Sequence, residues 1–133
     1  MYLAYYRLGQ IALLYRDFES AEENFSKGLY NEKEAKSYLE LAKIHTIKNQ
    51  KEKAILDVNN AIKVNSKYYE IARKEPILFP IRDFIEKPDG KTQMEFNETE
   101  QELEIEEYLN DTYNLTKALN RRKENKNGIS KTK

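Results

Sequence analysis

Residues 5–29, YYRLGQIALLYRDFESAEENFSKGL, and residues 38–62, YLELAKIHTIKNQKEKAILDVNNAI, carry the same pattern 33 residues apart. Aromatic, small and aliphatic side chains recur at matching places in the two stretches. The matched pairs are Tyr5/Tyr38, Leu8/Leu41, Gly9/Ala42, Phe18/Lys51, Ala21/Ala54, Phe25/Val58, Gly28/Ala61 and Leu29/Ile62. A fixed period of roughly 20–50 residues is typical of stacked supersecondary units. The chain therefore predicts a repeat architecture.

Each stretch predicts two helices joined by a short turn. Ala21, Phe25 and Leu29 are spaced four residues apart, and the equivalent residues of the second stretch have the same spacing. This spacing places them on one face of an α-helix, whereas a strand would alternate apolar and polar residues. Polar turns at 15–17 and 48–50 are short enough to make neighbouring helices antiparallel.

Small residues are expected where facing helices approach most closely, because a larger side chain there would overpack the contact at a cost of about 1–3 kcal/mol. These residues are Gly9, Ala21, Ala42 and Ala54. Phe25 and Val58 are expected to fill the wedge between one helix pair and the next, and burial of each contributes about 1.5–3 kcal/mol.

The pattern resembles the tetratricopeptide repeat (TPR), in which W-x2-L-G-x2-Y is followed by A-x3-F over 34 residues. Tyr5, Leu8 and Gly9 stand for the first part, and Ala21 and Phe25 match the second. The second stretch follows the same scheme, although the period is one residue short and the closing proline is replaced. The resemblance covers about half of the chain. It implies an all-α fold, a short right-handed α-α superhelix, followed here by a long C-terminal helix.

The resemblance also implies a protein–protein interaction module that binds a peptide or protein segment in a concave groove, lined by the first helix of each unit. The implied groove residues are Tyr6, Gln10, Leu13, Lys36, Leu39 and Lys43. Lys36 and Lys43 lie one heptad apart with Leu39 between them, a cationic and partly apolar strip suited to an acidic or C-terminal peptide. Ordinary solvated lysines explain this pair equally well. Gln10 and Lys43 stand where chaperone-binding members carry asparagines, so a clamp for a chaperone tail is not expected.

The rest of the chain predicts a closing half-unit, a linker and one long helix. Pro76 ends a helical pattern, and residues 77–85 form an apolar run that resembles the ends of bacterial TPR arrays. The predicted segments are a repeat region 1–86, made of units 2–34 and 35–67 and a closing half-unit 68–86, a linker 87–97, a long helix 98–123 and a disordered tail 124–133.

The long helix predicted at 98–123 is amphipathic. Glutamates crowd its first turns and lysines and arginines its last, which complements the helix dipole. Its apolar stripe consists of Ile105, Tyr108, Leu109, Thr112, Leu115 and Leu119. Because an isolated helix is only marginally stable in water, this stripe must pack on something. The three candidates are the chain's own repeats, a second copy in an antiparallel homodimer, and another protein.

The composition narrows the classes of partner. The chain has 23 basic and 23 acidic side chains and a formal net charge of zero, so there is no bulk electrostatic basis for binding nucleic acid or an anionic membrane. No apolar stretch reaches the roughly 18 residues of a membrane span. The N-terminal residues lack the pattern of a secretion signal, which predicts a cytoplasmic protein. The chain has no cysteine, which excludes disulfides and thiolate metal ligands.

The sequence offers few groups for catalysis. His45 is the single histidine and falls at a core aromatic position, which favours a packing role over catalysis or metal binding. The four glycines form no phosphate-binding loop, and one histidine without cysteine supplies no nucleophilic triad. We therefore expect a non-enzymatic protein that uses no metal or cofactor.

Three functional hypotheses follow. The first is the groove-binding interaction module. The second is a structural or self-associating protein whose long helix dimerises or occupies the groove. The third is a non-catalytic region of a larger regulator or enzyme. The third is favoured by Met1, because the first helix begins there without an N-cap, as it would inside a longer repeat protein. Alternatively, the first helix faces solvent or a dimer partner.

Overall fold

The computed structural model describes residues 2–29, 35–88 and 98–131. All regular structure in these ranges is helical, which confirms the prediction of an all-α chain. The elements are α1 (Tyr2–Leu14), α2 (Phe18–Lys27), α3 (Ala35–Ile47), α4 (Lys51–Val64), α5 (Tyr68–Lys74), a 3-10 helix (Pro76–Phe84) and α6 (Glu98–Lys131). None of the helices described carries an apolar stretch long enough to cross a membrane.

The helices pack in the order in which they occur in the chain. Helix α1 packs on α2 and α3 packs on α4, and the contact between α2 and α3 joins the two pairs. The small residues predicted at the close contacts, Gly9, Ala21, Ala42 and Ala54, are all buried. Phe25 is fully buried between the pairs, in one cluster with Leu41 and Ile44 of α3. The predicted wedge between the pairs is therefore present.

The turns at 15–17 and 48–50 lie between the paired helices, as predicted, and their backbones repeat with the same period as the side chains. Arg16 has φ 57° and Asn49 has φ 63°, both in the left-handed region. The Asp17 amide donates to the Ala12 carbonyl at 2.9 Å, and the Gln50 amide makes the equivalent bond at 2.7 Å. These six-to-one bonds are those of a Schellman motif, which ends a helix.

The closing half-unit covers one side of the second helix pair. Helix α5 ends at Lys74, and the 3-10 helix that follows packs on α3, α4 and α5. Its Leu78 and Ile81 are fully buried. Pro80 lies inside this segment and has no backbone amide hydrogen, which favours short 3-10 turns over a continuous α-helix.

Helix α6 begins at Glu98, where the sequence predicts its start, but it ends at Lys131 instead of residue 123. Most of the segment predicted as a disordered tail is therefore helical. An established helix adds each further residue at little cost, and the prediction underestimated this. Residues 132–133 and, within the predicted linker, residues 89–97 lie outside the described part of the chain.

Candidate helix-binding site on α1, α3 and α5

Helix α6 lies on its own repeats, and Tyr108 is the centre of the contact. This side chain is 2% exposed, and its ring meets the Tyr68 ring of α5 edge-on, with centroids 5.4 Å apart. Its hydroxyl donates to Glu40 Oε1 at 2.7 Å and accepts from Lys43 Nζ at 2.8 Å. Lys43 Nζ also donates to Glu40 Oε1 at 3.1 Å. We call these four residues, Glu40, Lys43, Tyr68 and Tyr108, the Tyr108 site.

The position of α3 explains why two charged residues are buried at this site. Helix α3 is enclosed by α2, α4, the 3-10 helix and the Tyr108 side chain of α6. Glu40 and Lys43 are three residues apart and therefore share one face of α3. They are 6% and 9% exposed, and each supplies the opposite charge that the other needs. A buried charge is tolerated only when it is paired and hydrogen-bonded in this way.

The protonation states follow from burial and neighbouring charge. Burial, together with the Glu40 carboxylate, raises the pKa of the Tyr108 hydroxyl well above its ordinary value, so Tyr108 stays a neutral donor. Burial by itself lowers the pKa of Lys43, but the Glu40 and Glu75 carboxylates outweigh it and the pKa is raised. Lys43 is therefore a cation at neutral pH, with Glu75 Oε2 at 3.9 Å as a second acidic neighbour.

Two polar contacts flank the Tyr108 site on the same face of α6. Asn65, which follows α4 and is fully buried, donates from Nδ2 to Glu104 Oε2 at 2.6 Å. Arg7 of α1 pairs with Asp111 at 3.3 Å. Glu104, Tyr108 and Asp111 occupy positions i, i+4 and i+7, which is one stripe of a helix. The repeats thus contact a helix of the pattern acidic-x3-Tyr-x2-acidic.

Four of the six groove residues that the sequence analysis names lie at or beside the α6-binding face. Tyr6, Leu39 and Lys43 are buried, and Leu39 lies in one core cluster with Tyr108. Lys36 Nζ lies 4.5 Å from the centre of the Tyr6 ring, a cation–π contact. Because Lys43 is paired with Glu40, it adds no free charge to the predicted cationic strip.

The other predicted groove residues lie nearer the outside. Gln10 Oε1 accepts a hydrogen bond from Arg7 at 2.8 Å, and Leu13 packs at the edge of the cluster between α1, α2 and α3. Both side chains are partly exposed. Neither residue is among the groups that hydrogen-bond to α6 at the Tyr108 site.

The apolar stripe predicted on the long helix packs in cis along its first part. Tyr108 belongs to the core and Ile105 packs against it. Thr112, Leu115 and Leu119 are partly buried, whereas Leu109 is 50% exposed. The chain's own repeats, one of the three predicted occupants of this face, contact it through Ile105 and Tyr108.

Sequence reasoning missed most of the polar partners of α6. Glu40, Tyr68, Asn65 and Arg7 were not predicted as site residues. One signal was available for Glu40, because an acidic residue three positions before Lys43 inside an apolar helix indicates a buried pair. The others are brought to α6 by tertiary packing, which no local pattern encodes.

His45 joins the two helix pairs through polar contacts. Its Nδ1 lies 2.5 Å from Asp57 Oδ2 of α4, and its Nε2 lies 2.6 Å from Glu22 Oε1 of α2. Lys48 donates to the second Glu22 oxygen at 2.8 Å. The imidazole is 8% exposed and has a hydrogen-bond partner on each nitrogen, so it lies in a polar setting and not among the side chains of the predicted apolar stripe.

The two carboxyl groups beside His45 have opposite pKa shifts. Burial raises the pKa of Asp57 to about 6, and the hydrogen bond with His45 only partly offsets this. The hydrogen bond from Lys48 lowers the pKa of Glu22. In the described ranges, no group of three or more His, Cys, Asp or Glu side chains is arranged to hold a metal ion.

Comparison of the chain with protein-family models, with curated proteins and with solved structures gives no match. The resemblance to the TPR family therefore stays a prediction that depends on the residues quoted above.

Proposed function

We propose that this chain is a non-catalytic, cytoplasmic protein–protein interaction module that binds a helical segment of a partner protein on the face formed by α1, α3 and α5. Helix α6 is the internal occupant of that face. The observation that carries the proposal is the Tyr108 site, where a tyrosine of one helix is held by a buried acid–base pair of another. Such a site recognises a particular helix instead of only burying apolar surface.

The polar character of the contact supports exchange between an internal and an external helix. Buried ion pairs add specificity more readily than net stability, because desolvation offsets much of their attraction. The Glu104–Asn65 and Arg7–Asp111 contacts are likewise polar. Interfaces of this polar kind are typical of parts of a chain that can separate.

The Tyr68 hydroxyl gives a second reason to expect exchange. It is buried and has no hydrogen-bond partner among the described residues. An unsatisfied buried hydroxyl costs about 1–3 kcal/mol. Helix α6 therefore leaves part of the site unsatisfied, and a partner helix with an acceptor at this point would bind the same face more favourably.

The second candidate function is a structural protein in which α6 fills the face permanently. The nearly complete burial of Tyr108 and its two hydrogen bonds favour this alternative. The two functions differ in one property. An interaction module binds a helix from outside when its own helix is weakened, whereas a structural protein does not.

The test uses the full chain with Tyr108→Ala as the receptor and a labelled peptide of residues 98–121 as the probe. Tyr113→Ala is the matched control, because Tyr113 lies on the same helix but is 63% exposed. We expect fluorescence anisotropy to show saturable binding to the Tyr108→Ala chain and little binding to the wild type or the control. The peptide carrying Tyr108→Ala should not bind. If the folded Tyr108→Ala chain does not bind the wild-type peptide, the permanent structural role is favoured instead.

A further inference from the structure

The Tyr108 hydroxyl makes two hydrogen bonds to charged groups at the face that α6 occupies. It donates its proton to Glu40 Oε1 at 2.7 Å and accepts from Lys43 Nζ at 2.8 Å. Both partners are buried, so water does not readily replace the hydroxyl when it is missing. Hydrogen bonds to charged groups are stronger than those between neutral groups, and a buried polar group that loses its partner is costly. The Tyr108 site therefore depends on the hydroxyl as well as on the ring.

The charges around this hydroxyl leave no room for a further negative group. Lys43 Nζ lies 3.1 Å from a Glu40 oxygen and 3.9 Å from a Glu75 oxygen, so its positive charge is already balanced by two carboxylates. A phosphoryl group on the tyrosine would replace the proton that Tyr108 donates to Glu40, and it would add a charge of about −1.5 to −2. It would then lie against the Glu40 carboxylate in a buried site, where repulsion and desolvation both oppose it.

The repeats place cations opposite acidic residues of α6 on both sides of Tyr108 along the helix. Arg7 of α1 pairs with Asp111 at 3.3 Å, and Lys67, which precedes α5, lies 3.9 Å from Glu102. Such partly exposed ion pairs contribute less to affinity than to orientation and to the choice of partner. An acidic helix therefore fits this face better than a basic one.

We infer that the face formed by α1, α3 and α5 selects an acidic helix whose central tyrosine has a free hydroxyl, and that it rejects the same helix when this residue is phenylalanine or phosphotyrosine. The inference rests on the function proposed above and names the outside helix by its anchor and its charge. The same selectivity applies to α6, because Tyr108 occupies the site within the chain. A site built to hydrogen-bond a hydroxyl rejects a ligand that lacks it, since its own buried polar groups are then left unpaired.

The first test uses the Tyr108→Ala chain as the receptor and compares labelled peptides of residues 98–121 by fluorescence anisotropy. We expect the dissociation constant to rise at least about tenfold when the peptide carries Tyr108→Phe or phosphorylated Tyr108. The matched control peptides carry the same two changes at Tyr113, which is 63% exposed, and should bind as the wild-type peptide does. If either change at Tyr108 leaves the affinity unaltered, the inference is overturned and the interaction function stands.

The second test uses the full chain and does not require an outside helix to bind. Tyr108→Phe keeps the ring that meets Tyr68 edge-on and removes only the hydroxyl. Hydrogen–deuterium exchange over residues 102–112 should become at least about tenfold faster in Tyr108→Phe and stay unchanged in Tyr113→Phe. Exchange in Tyr108→Phe as slow as in the wild type overturns the inference. If instead the wild-type peptide fails to bind the receptor, the proposed function and the outside partner named here are both contradicted, and this second test alone decides the selectivity for α6.

Discussion

At the scale of single residues, the two repeat units match the sizes of facing side chains in different ways. Gly9 of α1 lies beside Phe25, and a Cβ atom at Gly9 would lie 2.7 Å from the Phe25 ring. One period later the pair is Ala42 and Val58, both fully buried. The second unit thus has the larger residue on the first helix, alanine for glycine, and the smaller one on the second helix, valine for phenylalanine. This exchange keeps the packed volume similar in the two units.

Gly9→Ala should therefore destabilise the chain by about 1–3 kcal/mol, because the added methyl group overlaps the Phe25 ring. The double variant Gly9→Ala/Phe25→Val copies the pair of the second unit. It should lose about 1 kcal/mol less than the sum of the two single variants. Urea unfolding of the four proteins measures this coupling. If the losses in the free energy of unfolding are strictly additive, the sizes of the two side chains are not coupled by packing.

Asp57 and Glu22, the two carboxyl groups that contact His45, are expected to change the free energy of unfolding with pH in opposite directions. Burial raises the pKa of Asp57 to about 6 from 3.8, so the folded chain binds this proton more tightly than the unfolded chain. The resulting stabilisation is complete below about pH 4 and is lost as the pH rises through about 6. Asp57→Asn should remove this dependence, which amounts to roughly 2–3 kcal/mol. The free energy of unfolding of wild type and variant, measured from pH 4 to 7.5, tests it.

Glu22→Gln is the matched control for this pH dependence. The pKa of Glu22 is lowered, so its stabilisation is present above about pH 4.5 and is lost as the pH falls. The difference between wild type and Glu22→Gln should therefore grow with rising pH, opposite to that for Asp57→Asn. If both differences change in the same direction, the assignment of the buried proton to Asp57 is incorrect.

At the scale of elements, both helix-ending turns place a residue other than glycine in the left-handed region. Arg16 has φ 57° and Asn49 has φ 63°. This conformation costs most side chains about 1–2 kcal/mol, but asparagine adopts it more readily. Arg16→Gly should therefore raise the free energy of unfolding by up to about 1 kcal/mol, and Asn49→Gly should change it less. Thermal unfolding measures both. A larger gain at Asn49 would contradict this explanation.

Removal of one partner of the buried Glu40–Lys43 pair in α3 should lower the free energy of unfolding strongly. Lys43→Met leaves the buried Glu40 carboxylate without its cation and should cost about 3–5 kcal/mol. Glu40→Gln/Lys43→Met removes both charges and should recover part of this loss. Lys36→Met is the control on the same helix, since Lys36 is only partly buried. Urea unfolding compares the three variants. Equal losses at Lys36 and Lys43 would exclude a buried ion pair.

Most helices and turns could be predicted from the sequence. The repeat places α1 to α4 and both turns, because Ala21, Phe25 and their equivalents are local signals with a fixed spacing. Pro76 correctly marks the end of α5. The end of α6 was predicted at residue 123, because the residues that follow are polar and lack a pattern. Such residues are compatible with a helix as well as with disorder, and since no proline interrupts them the helix continues to Lys131.

At the scale of the whole molecule, the surface on which α6 packs was the feature that could not be predicted from the sequence. The stripe that includes Ile105 and Tyr108 was predicted, but three different surfaces could have covered it. Tyr108 and Glu40 are 68 residues apart in the chain, and their hydrogen bond depends on how separate elements dock. Local periodicity identifies which face of a helix is buried. It does not identify the residues that face it.

Hydrogen–deuterium exchange over residues 102–112 in the full chain tests most directly whether the Tyr108 site holds α6 on the repeats. The isolated peptide 98–121 is the reference for an undocked helix, which should exchange quickly because isolated helices are marginal. We predict at least tenfold slower exchange in the wild type and in Tyr113→Ala, and exchange close to that of the peptide in Tyr108→Ala. Exchange in the wild type as fast as in the free peptide, or unchanged protection in Tyr108→Ala, would contradict the seating of α6 through the Tyr108 site.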